Sequence, residues 1–333
     1  MDLHLTADKA SAEEQAAVDR ALEKLESSRG EATPPTATDG PAASNGFLLR
    51  SKRCLLLPVL HAIQERWGWI SPGALNYASL QLGVPPAEAH GVASFYEMFS
   101  LKRKPAVVAH VCDDMACVTG GAGALCGELE RTLGPAGSPC LGGNAIWQRS
   151  SCLGLCERAP AALLTAAGEK PRARVIAPAK AESIFSVVAD AVSAKLSDEI
   201  DTLNLNLSVP QAGQLQLRLL RRAGQEDATT LEGYRRSGGY DALEKAFEWG
   251  AERVIREVIE SKLLGRGGAA FPAGKKWEAV HLQRNLNRPH YVICNADESE
   301  PGTFKDRVLM EGDPFAILEG MTIAAFAVNA KKG

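Results

Sequence analysis

None of the 333 residues falls in a run approaching the roughly 20 consecutive apolar positions that a membrane-spanning helix needs. No cluster of Lys and Arg stands out either. The 37 basic and 40 acidic side chains leave a formal charge of −3 and a pI near 6.1, which excludes the dense phosphate contacts of a strongly basic nucleic-acid binder. The opening MDLHLTADKASAEEQ lacks the apolar core of a secretory signal, so the expected compartment is the reducing cytoplasm. That compartment argues against a disulfide framework for the eight cysteines and leaves metal ligation or thiol chemistry. What remains is the composition of a soluble globular protein, 45% hydrophobic and 23% charged, at a length that suits two domains.

Residues 1–46 hold nine acidic and four basic residues and no aromatic side chain, and their second half is rich in Pro, Gly, Ala and Thr. A helix over 12–26 would present only Val18, Leu22 and Leu25 among alanines, too little burial to offset its ordering entropy. The segment reads as a disordered acidic tail. Order is expected from Phe47. Leu55, Leu56, Val59, Leu60 and Ile63 recur at helical spacing up to Gly68, Ser71-Pro72 starts a second helix closed by Gly83, and Pro85-Pro86 opens a third. These make a small helical bundle over 47–100. A β-like run from Ala106 to Val111 follows, then a helix over 121–133, strands at 161–164 and 174–176, and a helix over 179–194, giving an α/β layer over 101–195. Residues 196–229 read as a linker with one candidate strand, Gln214 to Leu220. From 230 to 333 come a helical region with Leu243, Phe247, Val254, Ile255, Val258, Ile259 and Leu263 on one face, a glycine-rich loop, a strand from Tyr291 to Cys294, an acidic loop and an apolar helix from Phe315 to Val328.

Four cysteines form two tight pairs, Cys112 and Cys117 spaced C-x4-C and Cys152 and Cys156 spaced C-x3-C, with glycines nearby at 120, 121 and 154. Two thiolates from each of two loops suit a [2Fe–2S] cluster, one pair per iron. Structural zinc favours two-residue spacings within a pair, and buried structural cysteines would pair this way only by coincidence, yet spacing alone leaves both readings open. Cys54, Cys126, Cys140 and Cys294 read as packing residues.

The second candidate site is LLGRGGAAFPAGKKW followed by YVICNADESEPGTFKDR. Gly265, Gly267 and Ala270 satisfy the dinucleotide fingerprint as a bare pattern, but a helix precedes the loop where a strand belongs. A P-loop fails at Ala269 and Lys276. A helix C-cap at Gly265 is the simplest alternative. Three glycines, Arg266, Lys275 and Lys276, flanked by Phe271 and Trp277, exceed what a cap needs and offer backbone approach, anion pairing and a stacking ring for a nucleotide or flavin. Asp297, Glu298 and Glu300 follow an apolar strand, and Asn295 with the Pro301-Gly302 turn favours a fixed loop over a merely solvated one.

HVCDDMACVTGGA with RSSCLGLCERAPA, preceded by GVASFYEMFS, resembles the thioredoxin-like [2Fe–2S] subunit of bacterial complex I over roughly residues 47–192. The glycine-rich and acidic runs, with EGYRRSGGYDALEKAF, resemble the flavoprotein subunit of complex I and its relatives in NAD-reducing hydrogenases and NAD-dependent formate dehydrogenases over roughly 230–333. The first resemblance implies that Cys112, Cys117, Cys152 and Cys156 are cluster ligands. The second implies that Gly265, Arg266, Gly267, Gly268 and Lys276 line a flavin–NADH site. It also implies that Phe271 stacks on the dinucleotide, that Asn295, Asp297 and Glu298 hold FMN, and that Glu300 orients NADH. Ala270 replaces a usual glycine there, and Ala279 stands where an aromatic is common.

The expected architecture is therefore α/β: a helical bundle plus a thioredoxin-like [2Fe–2S] ferredoxin domain, followed by an α/β FMN-binding domain that is incomplete, because the resembling flavoproteins continue beyond the equivalent of Gly333. The expected function is a diaphorase module that passes electrons between NADH (or NAD), FMN and the cluster. Its partners would be other subunits of a complex I-like, hydrogenase or formate dehydrogenase assembly, with no direct membrane insertion and no nucleic acid. The rivals are a non-enzymatic electron carrier or assembly module whose flavin domain only docks, and a zinc-dependent structural adaptor.

Overall fold

Ser71 and the glycines set the first helices. The Ser71 hydroxyl accepts from the Ala74 amide at 3.0 Å, and Gly68 and Gly83 close their helices with φ of 77° and 63°, a left-handed backbone that glycine adopts without a Cβ clash. The computed structural model describes residues 5–28, 52–196, 213–225, 227–283 and 289–333, and divides the chain into two compact units, Met1–Thr202 and Leu203–Gly333.

In the first unit, α1 (Ala12–Ser28), α2 (Leu56–Trp67), α3 (Pro72–Leu82) and α4 (Pro86–Phe95) share one apolar core. Here the tail expectation fails for the described part of 1–46. Ser11 and Glu14 form a reciprocal capping box, with amide contacts of 3.2 and 2.7 Å, at the start of α1. Val18 and Leu22 are buried against Val59, Leu60 and Ile63, and Asn76 of α3 donates to Thr6 and Asp8. Burying a Val or Leu contributes about 1.5–3 kcal/mol, so a sparse stripe suffices once a waiting bundle face accepts it.

The bundle leads into a five-stranded sheet of β1 (Val107–Cys112), β2 (Pro139–Cys140), β3 (Ala145–Ser150), β4 (Ala162–Ala166) and β5 (Arg172–Ile176) in the order β2-β3-β1-β4-β5. β1 and β3 run parallel, with α5 (Met115–Thr119) and α6 (Ala122–Leu133) in the crossover, and the other pairings are antiparallel. α7 (Ala181–Val192) follows β5, and α6 and α7 bury Leu125, Leu129, Ile184 and Val188 with Val107, Ala109, Trp147 and Leu164 of the sheet. β2, β3 and α5 are additions to the sequence reading. β3 shows no polar–apolar alternation because Ala145, Ile146 and Trp147 are all buried. Gln148 of β3 donates to Nδ1 of His110 on β1 at 3.1 Å while receiving Lys104, and burial above all, then the Lys104 charge, lowers the His110 pKa to about 4.

The second unit contains α8 (Leu231–Arg236), α9 (Asp241–Trp249), α10 (Ala251–Glu260), α11 (Ala273–Leu282), β6 (His290–Tyr291), α12 (Lys305–Gly312), α13 (Pro314–Ala327) and β7 (Ala330–Lys332). Three expectations are corrected here. Residues 214–220 form turns and bends, not a strand; residues 197–212 and 226 of the candidate linker lie outside the described residues. The single helical face from 243 to 263 is broken at Gly250, whose φ of 80° separates α9 from α10. The strand at 291–294 is reduced to β6, which pairs parallel with β7, and one further backbone bond, from the Val292 amide to Lys332 O at 3.0 Å, extends the contact. α13 packs on α9, α10 and α12, with Ile323, Phe326 and Ala327 in one apolar cluster with Val254 and Ile255, while Leu318 stays half exposed.

Candidate functional site

β1 and β3 are adjacent and parallel, so the loops that leave their C-terminal ends emerge side by side, where ligands of α/β sheets tend to sit. Cys112 is the last residue of β1, Cys117 lies on α5, and Cys152 and Cys156 lie on the loop after β3. The Cys152 and Cys156 Sγ atoms are 3.3 Å apart, and the Gly154 amide donates to Cys152 Sγ at 3.4 Å from a φ of 75°. Two thiolates on one tetrahedral ion at 2.3 Å would be about 3.8 Å apart, so the pair reaches that spacing with a small outward adjustment.

Burial pushes the Cys117 thiol up to about 12, assisted by its hydrogen bond with Cys112 and by the charges of Cys112 and Cys156. Burial likewise pushes Cys152 to about 11, opposed by the Gly154 amide and assisted by Cys156 and Cys112. Thiolates gathered on these loops would need compensating positive charge. The thiols are hydrogen-bonded two by two, Cys112 with Cys117 and Cys152 with Cys156, and a two-iron cluster takes one such pair per iron. The residues therefore fit a [2Fe–2S] group. The loops also meet through Gly120, where a Cβ would lie 2.8 Å from the Ala159 Cβ.

Of the other cysteines, Cys126 and Cys140 are buried in the sheet core, as a packing role requires, but Cys54 and Cys294 are exposed.

Two carboxylates that the sequence reading passed over hold the second cysteine loop. Asp114 Oδ1 accepts from the Met115 amide at 2.7 Å and Oδ2 from the Cys152 amide at 3.2 Å, while Glu97 Oε2 accepts from the Ser151 amide at 3.0 Å. An Asp directly before the residues that become α5 was a readable helix-cap signal, whereas its reach to Cys152 was not.

In the second unit, residues 263–273 form a tight loop closed by an isolated antiparallel bridge between Leu264 and Pro272. The Gly265 amide donates to Phe271 O and the Ala273 amide to Leu263 O, both at 2.8 Å. A Cβ on Gly265 would sit 3.1 Å from Phe271 O, so close strand approach accounts for that glycine. Arg266, Gly267, Gly268 and Phe271 project into solvent from the loop, and Lys276 is exposed on the first turn of α11. Ala270 has a φ of 50°, left-handed for a residue with a Cβ. That conformation costs about 1–2 kcal/mol, partly offset by the greater unfolded entropy of glycine. Ala270→Gly is therefore expected to stabilise the unit by about 0.5–1 kcal/mol. Chemical denaturation measures it, and an unchanged or lowered midpoint would refute it.

The acidic loop is built by its own side chains. Asn295 Oδ1 accepts from the Asp297 amide at 3.0 Å, Ser299 donates to Asp297 at 3.1 Å, and Glu298 accepts from the amides of Asp306 and Arg307 at 2.6 and 2.9 Å, capping α12. Asn295, Asp297 and Glu300 remain exposed, but both Glu298 oxygens face the helix start. Among the described residues no hydrogen bond or ion pair joins 264–272 to 295–300, so the structure builds the two loops separately. A cavity of about 660 Å³ opens just beyond the acidic loop, between Leu217–Leu220 and Gly302–Leu309.

Residues 47–188 match the thioredoxin-like [2Fe–2S] ferredoxin family, and residues 258–333 match the Nuo51 FMN-binding domain. An NADH-quinone oxidoreductase subunit of Aquifex aeolicus is 47% identical over 114 residues, 34% of this chain and 26% of that protein. The NAD-reducing hydrogenase HoxS subunit alpha of Cupriavidus necator is 30% identical over 291 residues, 85% of this chain and 45% of that protein. The crystal structure of an air-oxidised NAD+-reducing [NiFe]-hydrogenase superposes with a TM-score of 0.57 at 26% identity, covering 83% of this chain and 44% of that one. The chain thus spans less than half the length of these relatives. No helix among the described residues is long and apolar enough to cross a membrane. The paired cysteines on the five-stranded sheet thus fall within residues 47–188, which match the thioredoxin-like [2Fe–2S] ferredoxin model, and the glycine-rich and acidic loops fall within residues 258–333, which match the Nuo51 FMN-binding domain.

Proposed function

We propose that this chain is an NADH dehydrogenase (diaphorase) module that exchanges electrons between NADH, FMN and a [2Fe–2S] cluster within a larger redox assembly. The observation that carries the reading is the placement of two hydrogen-bonded thiol pairs, Cys112 with Cys117 and Cys152 with Cys156, on the neighbouring loops that follow β1 and β3, in a chain that also matches the Nuo51 FMN-binding domain. NADH gives up two electrons together and an iron–sulfur cluster takes one, and a flavin supplies the chemistry that splits the pair. No side chain need act as acid or base. The cysteines hold iron, Gly265 lets the glycine-rich loop close on Phe271, and Gly267 and Gly268 let backbone N–H groups approach a phosphate or flavin edge. Arg266 and Lys276 supply positive charge, and Phe271 offers an exposed ring for stacking. Asn295 and Asp297 provide polar contacts to FMN, Glu298 acts by fixing the acidic loop on α12, and Glu300 orients NADH. The partners are subunits of a complex I-like, hydrogenase or formate dehydrogenase assembly in the cytoplasm or on the inner face of a membrane.

Iron, acid-labile sulfide and FMN per chain, followed by NADH–ferricyanide kinetics, test the reading. Zinc in place of iron and sulfide would overturn it, and a cluster without any FMN binding would favour the electron carrier. In the FMN-loaded protein, Phe271→Ala and Glu300→Gln are expected to weaken NADH use by about 1–3 kcal/mol each, roughly 5- to 150-fold in kcat/KM, with FMN content retained. Unchanged kinetics in both variants would remove these two residues from the nucleotide site.

A further inference from the structure

We infer that Asp114 is a positioning residue for the iron–sulfur centre, one that clamps the two cysteine loops together and holds the reduction potential down. The inference rests on the cluster reading above and concerns a residue outside the ligand set. Asp114 lies between Cys112 and Cys117 in the first loop, and its two carboxylate oxygens are divided between the loops. One takes the amide of its own neighbour Met115, setting the start of the turn that carries Cys117, and the other crosses 38 residues of sequence to the amide of Cys152. Other links near this junction are the backbone bonds from Asp113 to Ser150 O at 3.2 Å and from Cys112 to Ala161 O at 2.9 Å, the Glu97 contact to the Ser151 amide at 3.0 Å and the Arg149–Asp113 ion pair at 3.1 Å, none of which joins a first-loop side chain to a cysteine of the second loop. Asp114 is the only residue of the first loop, among the described contacts, whose side chain binds a ligand-bearing residue of the second.

Two electrostatic consequences have the same sign. A carboxylate beside the centre opposes the added negative charge of reduction. It also occupies the Met115 and Cys152 amides, which would otherwise be free to turn toward sulfur, and hydrogen bonds to sulfur are among the factors that set such potentials. Arg149, the nearby cation, is engaged instead with Asp113 and Glu130 at 3.1 and 3.2 Å.

The test uses the full chain and two substitutions. Asp114→Asn keeps the shape, removes the charge and leaves a single acceptor oxygen. Asp114→Ser keeps a helix-capping hydroxyl that is too short to reach the Cys152 amide. In a dye-mediated titration read by visible absorption and electron paramagnetic resonance, Asp114→Asn is expected to shift the reduced-to-oxidised ratio about tenfold toward reduced at a fixed ambient potential, about 59 mV for one electron. Asp114→Ser is expected to lose iron to a chelator at least about tenfold faster, the scale of effects seen when outer-shell partners of metal ligands are removed, with its far-ultraviolet dichroism unchanged. Faster iron loss with an unshifted potential in Asp114→Asn would assign the residue to stability alone and overturn the inference. Wild-type behaviour of both variants would overturn it outright. A wild-type chain without iron and sulfide would bring down the cluster reading itself, and the inference with it.

Discussion

Replacing Cys156 by serine is expected to abolish or strongly disturb the visible spectrum of the purified chain and to leave roughly half or less of its iron, because an alkoxide-forming hydroxyl is a poor substitute for a soft thiolate. The same result is expected for Cys152→Ser. The effect is large because these two sulfurs, 3.3 Å apart, form one complete half of the cradle. Cys126 and Cys140 provide the controls. Both are buried in the sheet core and neither thiol belongs to the cradle, so their alanine variants should lose about 1 kcal/mol of stability and keep the spectrum. Iron and sulfide analysis with visible circular dichroism decides the matter. A normal spectrum in Cys156→Ser would remove Cys156 from the ligand set.

Glu319→Ala is expected to destabilise the second unit by about 3–5 kcal/mol, the other large effect. Glu319 is buried on α13, and its carboxylate receives the Tyr234 hydroxyl together with the amides of Tyr240 and Leu243 at 3.1 and 3.0 Å. It thereby serves as the N-terminal cap of α9, whose preceding residue Tyr240 has a left-handed backbone and no side-chain cap of its own. Truncation would strand three donors at once, each costing about 1–3 kcal/mol when buried and less where water reaches it. Tyr234 is held further by the Arg222 guanidinium stacked 4.7 Å from its ring centre, and Arg222 in turn pairs with buried Asp313 at 2.8 Å. Burial, then the bond to Glu319, raises the Tyr234 pKa, so the phenol remains a donor throughout the neutral range. Glu319→Gln, which keeps the acceptor oxygen, should lose clearly less. Denaturation followed by tyrosine and tryptophan fluorescence measures both variants. Equal stability of Glu319→Ala and wild type would show that the network does not hold the unit.

The helices and the cysteine pairs were legible because their signals are local. Ser71-Pro72, Gly68 and Gly83 act on backbone groups within four residues, and C-x4-C and C-x3-C place each pair of sulfurs within one loop. The failures arose where a local signal was completed from far away. Val18 and Leu22 are too few to order a free helix, and only the bundle face formed by α2 and α3, beginning nearly 40 residues later, makes their burial sufficient. The run from Tyr291 to Cys294 has strand propensity but finds a partner only in the short β7, so the ladder ends after two residues. The family resemblance implied that Glu298 holds FMN, and no local signal announced that both its oxygens would also accept from the amides that start α12.

By itself the sequence determined the capped helix starts and ends of the bundle and the grouping of cysteines into two close pairs, since each depends on residue type and short spacing. The tertiary structure alone decided that the two pairs meet. That follows from β1 and β3 lying adjacent and parallel, which brings their C-terminal loops together across 34 intervening residues. It likewise decided that Asp114 ties those loops and that Glu319 caps a helix nearly 80 residues away. A hydrogen bond forms between groups that the fold places about 3 Å apart, and no spacing along the chain encodes that distance once topology intervenes.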